Sequence, residues 1–128
     1  LDKDGFKYPL SFNRKEIKDH GEGGNVIGKN PSGDVLIIDD VISAGTAAKE
    51  SIEMIKSIEA NPKIMLVGLD RQERGSGNLS ARRELEEEYG MEVISIINLD
   101  SLITYSELTP GFETHLNRLQ AYRNQWGA

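Results

Sequence analysis

The run Val35-Leu36-Ile37-Ile38 constrains this chain more than any other feature, because it is apolar at every position and is bounded sharply by Ser32-Gly33 and Asp39-Asp40. A strand with one face in water alternates apolar and polar residues, whereas an uninterrupted apolar run fits a strand buried on both faces, as in a parallel sheet. After Ser43-Ala44-Gly45-Thr46 the period changes to that of a helix, with Ala48, Ile52, Ile55 and Ile58 on one stripe and Lys49, Glu50, Glu53, Lys56 and Glu59 off it. Asn61-Pro62 is expected to end that helix. Residues 64–69 read as a second buried strand, followed by a polar turn over 70–77. A helix is predicted over 80–89, with Ala81, Leu85 and Tyr89 inward and Gly90 as its C′ residue. Residues 93–97 read as a third strand. Asp100 or Ser101 can cap a short helix reaching about Ser106, and Thr109-Pro110 is expected to open a last helix with Phe112, Leu116, Leu119 and Trp126 on one face. Alternating strands and helices specify an α/β domain built on a parallel sheet. Three parallel strands make a thin sheet, so helices on both faces and further strands upstream of residue 1 are expected.

Residues 14–28 have a different texture: both charge signs, several glycines and few apolar residues, the composition of a long solvated loop or loose hairpin. With 128 residues and neither repeat nor linker, one domain or part of one is expected. The absence of cysteine excludes disulfides, thiolate metal sites and cysteine nucleophiles. A formal net charge of −6 argues against broad nucleic-acid binding, which rests on excess Lys and Arg. The apolar runs fall far short of the roughly 20 residues that span a bilayer, and the first twelve residues have no hydrophobic centre of a signal peptide. The expectation is a cytoplasmic protein with neither nucleic-acid nor membrane partners.

Ligands of open parallel sheets bind beyond the carboxyl ends of the strands, and two polar turns fall there, at 39–46 and 70–77. The first carries more chemistry. A helix N-terminus offers unpaired backbone N–H groups and a positive dipole, and Ala44-Gly45 would let a phosphate approach the backbone closely. Ser43 and Thr46 add hydroxyl donors. Asp39 and Asp40 would repel a phosphate beside them, so their partners are hydroxyls or a hard cation such as Mg2+. Acid pair plus anion nest suits a sugar phosphate. Neither a Gly-Lys-Ser/Thr loop nor a Gly-x-Gly-x-x-Gly fingerprint is present at this turn.

Residues 35–47, Val-Leu-Ile-Ile-Asp-Asp-Val-Ile-Ser-Ala-Gly-Thr-Ala, resemble the motif with which type I phosphoribosyltransferases bind 5-phosphoribosyl 1-pyrophosphate (PRPP). Residues 12–24, Phe-Asn-Arg-Lys-Glu-Ile-Lys-Asp-His-Gly-Glu-Gly-Gly, resemble the mobile catalytic loop of orotate phosphoribosyltransferases, and 69–75, Leu-Asp-Arg-Gln-Glu-Arg-Gly, their second strand-end turn. The resemblance implies transfer of phosphoribosyl from PRPP to orotate in pyrimidine biosynthesis, with Mg2+ carried by PRPP and no metal ligand supplied directly by the chain. It implies that Lys18, His20, Asp39 and Asp40 serve catalysis. PRPP would be bound by Arg14, Lys15, Lys18 and His20 of the loop at 14–28, by Asp39 and Asp40, and by Val41, Ile42, Ser43, Ala44, Gly45, Thr46 and Ala47. Orotate would be met by Ser43 and by Arg71, whose planar fork suits its carboxylate. In that family the loop reaches the neighbouring subunit's site, so a homodimer is implied.

The family's hood residues, which sandwich the orotate ring, and a strand turn bearing a pyrophosphate-binding lysine have no counterpart in this sequence. The chain is therefore expected to be the C-terminal portion of a single phosphoribosyltransferase domain, lacking N-terminal strands and hood, folded but inactive by itself. Two other readings stay open: a purine phosphoribosyltransferase and a PRPP-binding regulator. His115 is expected on the surface, Phe112 and Trp126 in core or dimer contacts, and Arg74 has no assigned role.

Overall fold

The computed structural model describes residues 8–13 and 26–128. A short antiparallel pair, β1 (Ser11–Asn13) and β2 (Val26–Gly28), precedes a three-stranded parallel sheet of β3 (Asp34–Ile42), β4 (Asn61–Asp70) and β5 (Glu92–Asn98), in that spatial order. Helices α1 (Thr46–Ser57) and α2 (Ala81–Tyr89) make the two crossovers, and α3 (Leu99–Leu108) and α4 (Glu113–Trp126) follow the last strand. The alternating α/β order expected from the sequence is thus present. Residues 14–25 of the expected loop lie outside the described residues, while 26–28 belong to β2.

Several boundaries differ from the sequence reading. Helix α1 stops at Ser57, where Ile58 and the left-handed Glu59 (φ 60°) turn the chain, so Asn61-Pro62 opens β4 instead of closing the helix. Asn61 N–H then donates to the Gly33 carbonyl at 2.8 Å, bringing the starts of β3 and β4 together. Strand β3 continues to Ile42, placing Asp39 and Asp40 inside its last turn of pleat. Asn98, not Asp100 or Ser101, caps α3 by accepting from Ser101 N–H at 2.9 Å. Thr109-Pro110 forms a turn completed by left-handed Gly111 (φ 85°), and α4 begins three residues later than expected.

Alternation along the strands divides the sheet into two unlike faces. Ile37, Met65, Val67 and Val93 point to one face, where they form a core with Ala48, Ile52 and Ile55 of α1 and Ala81 and Leu85 of α2. Ile58, past the end of α1, is exposed instead of joining the stripe. The opposite face carries Leu36, Ile38, Ile94 and Ile96, and among the described residues Ile38 keeps 67% and Ile96 78% of its surface exposed. The expectation of strands buried on both faces and of helices on both sides is therefore corrected: α1 and α2 cover one face, and the apolar composition of the other is not matched by a cover among the described residues. The expected stripe of α4 is also shallower, since no α4 residue is fully buried and Trp126 is half exposed.

Candidate active site

The carboxyl end of β3 presents the acid pair. Asp40 N–H donates to Asp39 Oδ1 at 2.9 Å, folding the first carboxylate back on its own strand while Asp40 stays exposed. Gly68 stands opposite Asp40 in the β3–β4 register, because Asp39 pairs with Val67 and Val41 with Leu69. A Cβ at Gly68 would lie 2.8 Å from the Asp40 carbonyl oxygen, so this close approach of backbones requires glycine.

The chain then bends through Ser43 and Ala44 into buried Gly45, which adopts φ 85° and is the N-cap of α1. The Gly45 carbonyl accepts from Lys49 N–H at 2.9 Å to start the helix. No side chain caps this N-terminus and its first turn holds no acid, whereas α2 is capped by Ser80 with Glu84 in its first turn and α3 by Asn98 with Asp100. An uncapped helix start with small residues around it keeps its N–H groups available to an anion. A neighbouring groove of about 340 Å3, lined by Ala44, Thr46, Lys49, Glu50, Glu53 and Ser76, suits phosphate less well, since Glu50 and Glu53 would repel it.

The second turn is built by buried Asp70, whose Oδ1 accepts from Gln72 N–H at 2.8 Å while Gln72 takes a left-handed φ of 54°. Arg71 N–H donates to the Ile42 carbonyl at 3.1 Å, which fastens this turn to the root of the Ser43–Gly45 bend. The Arg71 Nε lies 2.9 Å from Glu73 Oε1, its Nη2 donates to the Tyr122 hydroxyl, and its guanidinium sits 4.9 Å from the Tyr122 ring centre. Tyr122 in turn donates to Glu73. Beyond it, Glu84 accepts from Ser76 N–H and hydroxyl, both at 2.9 Å, and from Gly77 N–H at 2.6 Å, and these donors hold its carboxyl below the ordinary range.

The structure thus brings Asp39, Asp40, Val41, Ile42, Ser43, Ala44, Gly45, Thr46, Ala47 and Arg71 to one end of the sheet, with buried Ile42 contributing its carbonyl. Arg14, Lys15, Lys18 and His20 lie outside the described residues. Sequence reading passed over Gly68, Glu73, Glu84 and Tyr122. Tyr122 had a legible signal, since it follows Leu119 by three and precedes Trp126 by four on the stripe assigned to α4. Arg74, left without a role, bonds through Nη2 to the Gln125 carbonyl at 3.2 Å. Two adjacent carboxylates fit a magnesium ion that keeps substrate and water oxygens, and among the described residues no three His or acidic side chains converge as a cage for one.

The sequence is 50% identical over 127 residues to the orotate phosphoribosyltransferase of Marinobacter nauticus, which covers 99% of this chain and 60% of that protein. It is 49% identical over 123 residues to that of Haemophilus influenzae, covering 96% of this chain and 58% of the relative. The structure superposes on the crystal structure of orotate phosphoribosyltransferase from Francisella tularensis with a TM-score of 0.74 and 30% identity, covering 98% of this chain and 59% of that one. No protein-family model matches the chain. The chain spans about three fifths of the length of the curated relatives it matches. With half its residues identical along nearly its whole length and the same fold in three dimensions, this chain is a homologue of the orotate phosphoribosyltransferases.

Proposed function

We propose that the protein transfers the 5-phosphoribosyl group of PRPP to orotate, giving orotidine 5′-monophosphate and pyrophosphate in the pyrimidine pathway to UMP. The observation that carries this reading is the junction of an acid pair, an uncapped helix start and an arginine tethered to the same strand end. The reaction breaks the bond from ribose C1′ to pyrophosphate oxygen and forms one from C1′ to a ring nitrogen, passing through a sugar with oxocarbenium character. Asp39 and Asp40 hold the ribose hydroxyls and offset that positive charge, while N–H groups and hydroxyls of residues 43–47 seat the 5′-phosphate. Arg71 and Ser43 meet the pyrimidine. Arg14, Lys15, Lys18 and His20 supply positive charge to the departing pyrophosphate, across a homodimer interface as the family resemblance implies. Mg2+ enters with PRPP and, when bound, neutralises charge on the pyrophosphate. A cytoplasmic location agrees with the finding that no helix among the described residues is long and apolar enough to cross a membrane.

The test is pyrophosphate release from PRPP and Mg2+ with orotate, hypoxanthine or adenine as acceptor, beside the melting temperature with each ligand. Orotate alone is expected to be consumed, or, where turnover needs parts beyond these residues, to raise the Tm of the PRPP-loaded protein further. Consumption of a purine would establish the purine enzyme instead. A Tm response to PRPP that no base augments would favour the regulator.

A further inference from the structure

We infer that Tyr122 and Glu73 are positioning residues for Arg71, so that α4, lying outside the sheet, sets the preference for a pyrimidine that bears a carboxylate. This rests on the reading that Arg71 meets that carboxylate. A guanidinium carries five N–H donors, and the Nε and Nη2 donors share one edge. Glu73 takes Nε and the Tyr122 hydroxyl takes Nη2, so both supports lie along that edge and the Nη1/Nη2 end remains to grip a carboxylate in two parallel bonds. The guanidinium carbon also lies over the Tyr122 ring, 4.9 Å from its centre, so this one side chain meets Arg71 through both its hydroxyl and its ring.

Glu73 alone would be a poor support. A mobile carboxylate could swing to the end of the fork and neutralise the charge meant for substrate. The Tyr122 hydroxyl donates to Glu73 while accepting from Arg71, which closes a three-membered network and keeps the acid at the side. Burial pushes the Tyr122 hydroxyl above its ordinary pKa, with Glu73 adding to the rise, so it remains a donor at neutral pH. The turn itself is clamped by the end of α4: Arg74 N–H donates to the Trp126 carbonyl at 3.0 Å and Ala128 N–H to the Gln72 carbonyl at 3.1 Å. The Gln72 side chain exchanges two bonds with Asp100, at 2.9 and 2.8 Å, and Asp100 also pairs with Arg123. Arg71 is thus held at its side chain by Glu73 and Tyr122, on a turn that is itself fastened to the end of α4 and to Asp100.

The test is calorimetric titration of the PRPP-loaded protein, kept free of Mg2+ so that orotate is bound and not transferred, with orotate and with uracil, which lacks the carboxylate, together with titration of PRPP. Tyr122→Phe keeps the ring and is expected to weaken orotate about tenfold, the scale of a lost charge-assisted bond, while uracil and PRPP change less than twofold. Arg71→Ala should abolish the preference for orotate, and Tyr122→Phe added to it should cost nothing more, as coupled residues do. A purely structural role would instead lower the Tm and weaken PRPP, orotate and uracil together, and that pattern would overturn the inference. So would a Tyr122→Phe protein that binds orotate as the parent does, where the parent prefers orotate to uracil. A parent that binds orotate no better than uracil would instead refute the role of Arg71 beneath it. Glu73→Gln, which keeps shape and removes charge, repeats the test should Tyr122→Phe not fold.

Discussion

Single atoms decide how the acid pair is held. The close approach of Gly68 to the Asp40 carbonyl leaves 2.8 Å for any Cβ, and the obstacle is backbone, which cannot swing aside as a long side chain would. Gly68→Ala must therefore move the end of β3 or β4. The expected loss is about 1–3 kcal/mol of stability, the usual cost of overpacking, measurable by urea denaturation, with a parallel fall in PRPP affinity because the displaced carbonyl belongs to Asp40. Stability lost with PRPP affinity intact would show that the strain is absorbed on the β4 side. Gly45→Ala meets a different obstacle: a left-handed φ of 85°, where an L residue pays roughly 1–2 kcal/mol, and the Ala81 Cβ at 3.3 Å. At this scale the sequence was most readable where a residue's chemistry is its role. Asp39, Asp40 and Gly45 could be singled out as candidates because an acid pair closing an apolar run and a glycine opening the next helix together suit a sugar phosphate. Gly68 could not, since its reason is the position of an atom 28 residues away in the chain.

Among the elements, α1 and α2 have opposite N-termini, and the contrast is written in single residues. Ser80 accepts from Arg83 N–H at 3.3 Å, so Ser80→Ala should cost about 1 kcal/mol in thermal or chemical unfolding, as a cap on a helix whose Ala81 and Leu85 lie in the core. Glu84, one turn further on, pins Ser76 and Gly77. Its folded pKa lies below the unfolded value, so its contribution is present above the ordinary carboxylate range and is lost as pH falls through the folded pKa. The parent should lose stability over that acid interval more steeply than Glu84→Gln, as compared by melting temperatures across pH; parallel curves would remove Glu84 from the account. The types of β3, β4, β5, α1 and α2 were legible from apolar runs and helical period, but ends were not. Asn61-Pro62 satisfies the rule for stopping a helix equally well when the helix has already stopped at Ser57, and only pairing with Gly33 reveals it as a strand start. Asn98, Asp100 and Ser101 are all competent caps, and the choice among them follows from how far β5 is held by β4, with Asp70 paired to Asn98.

For the whole molecule, the informative quantity is the mismatch between the two faces of the sheet. A continuous apolar run was read as burial on both sides, and the covered face agrees with it, with Met65, Val67 and Val93 almost fully enclosed. The other face has the same composition with Leu36, Ile38, Ile94 and Ile96 exposed among the described residues. Sequence pattern reports what a face is made to meet, not which segment meets it, and for that reason the composition was legible while the cover was not. Clustered apolar side chains of this kind promote association and bind apolar dyes. A polypeptide of these 128 residues alone is thus expected to enhance the fluorescence of anilinonaphthalene sulfonate and to sediment as larger species with rising concentration. Ile38→Lys with Ile96→Lys should suppress both while leaving the melting temperature within a few degrees, because neither side chain belongs to the core on the other face. Dye binding that survives the double substitution would locate the apolar surface elsewhere, and a collapse of the melting transition would mean that this face is covered from within the same chain.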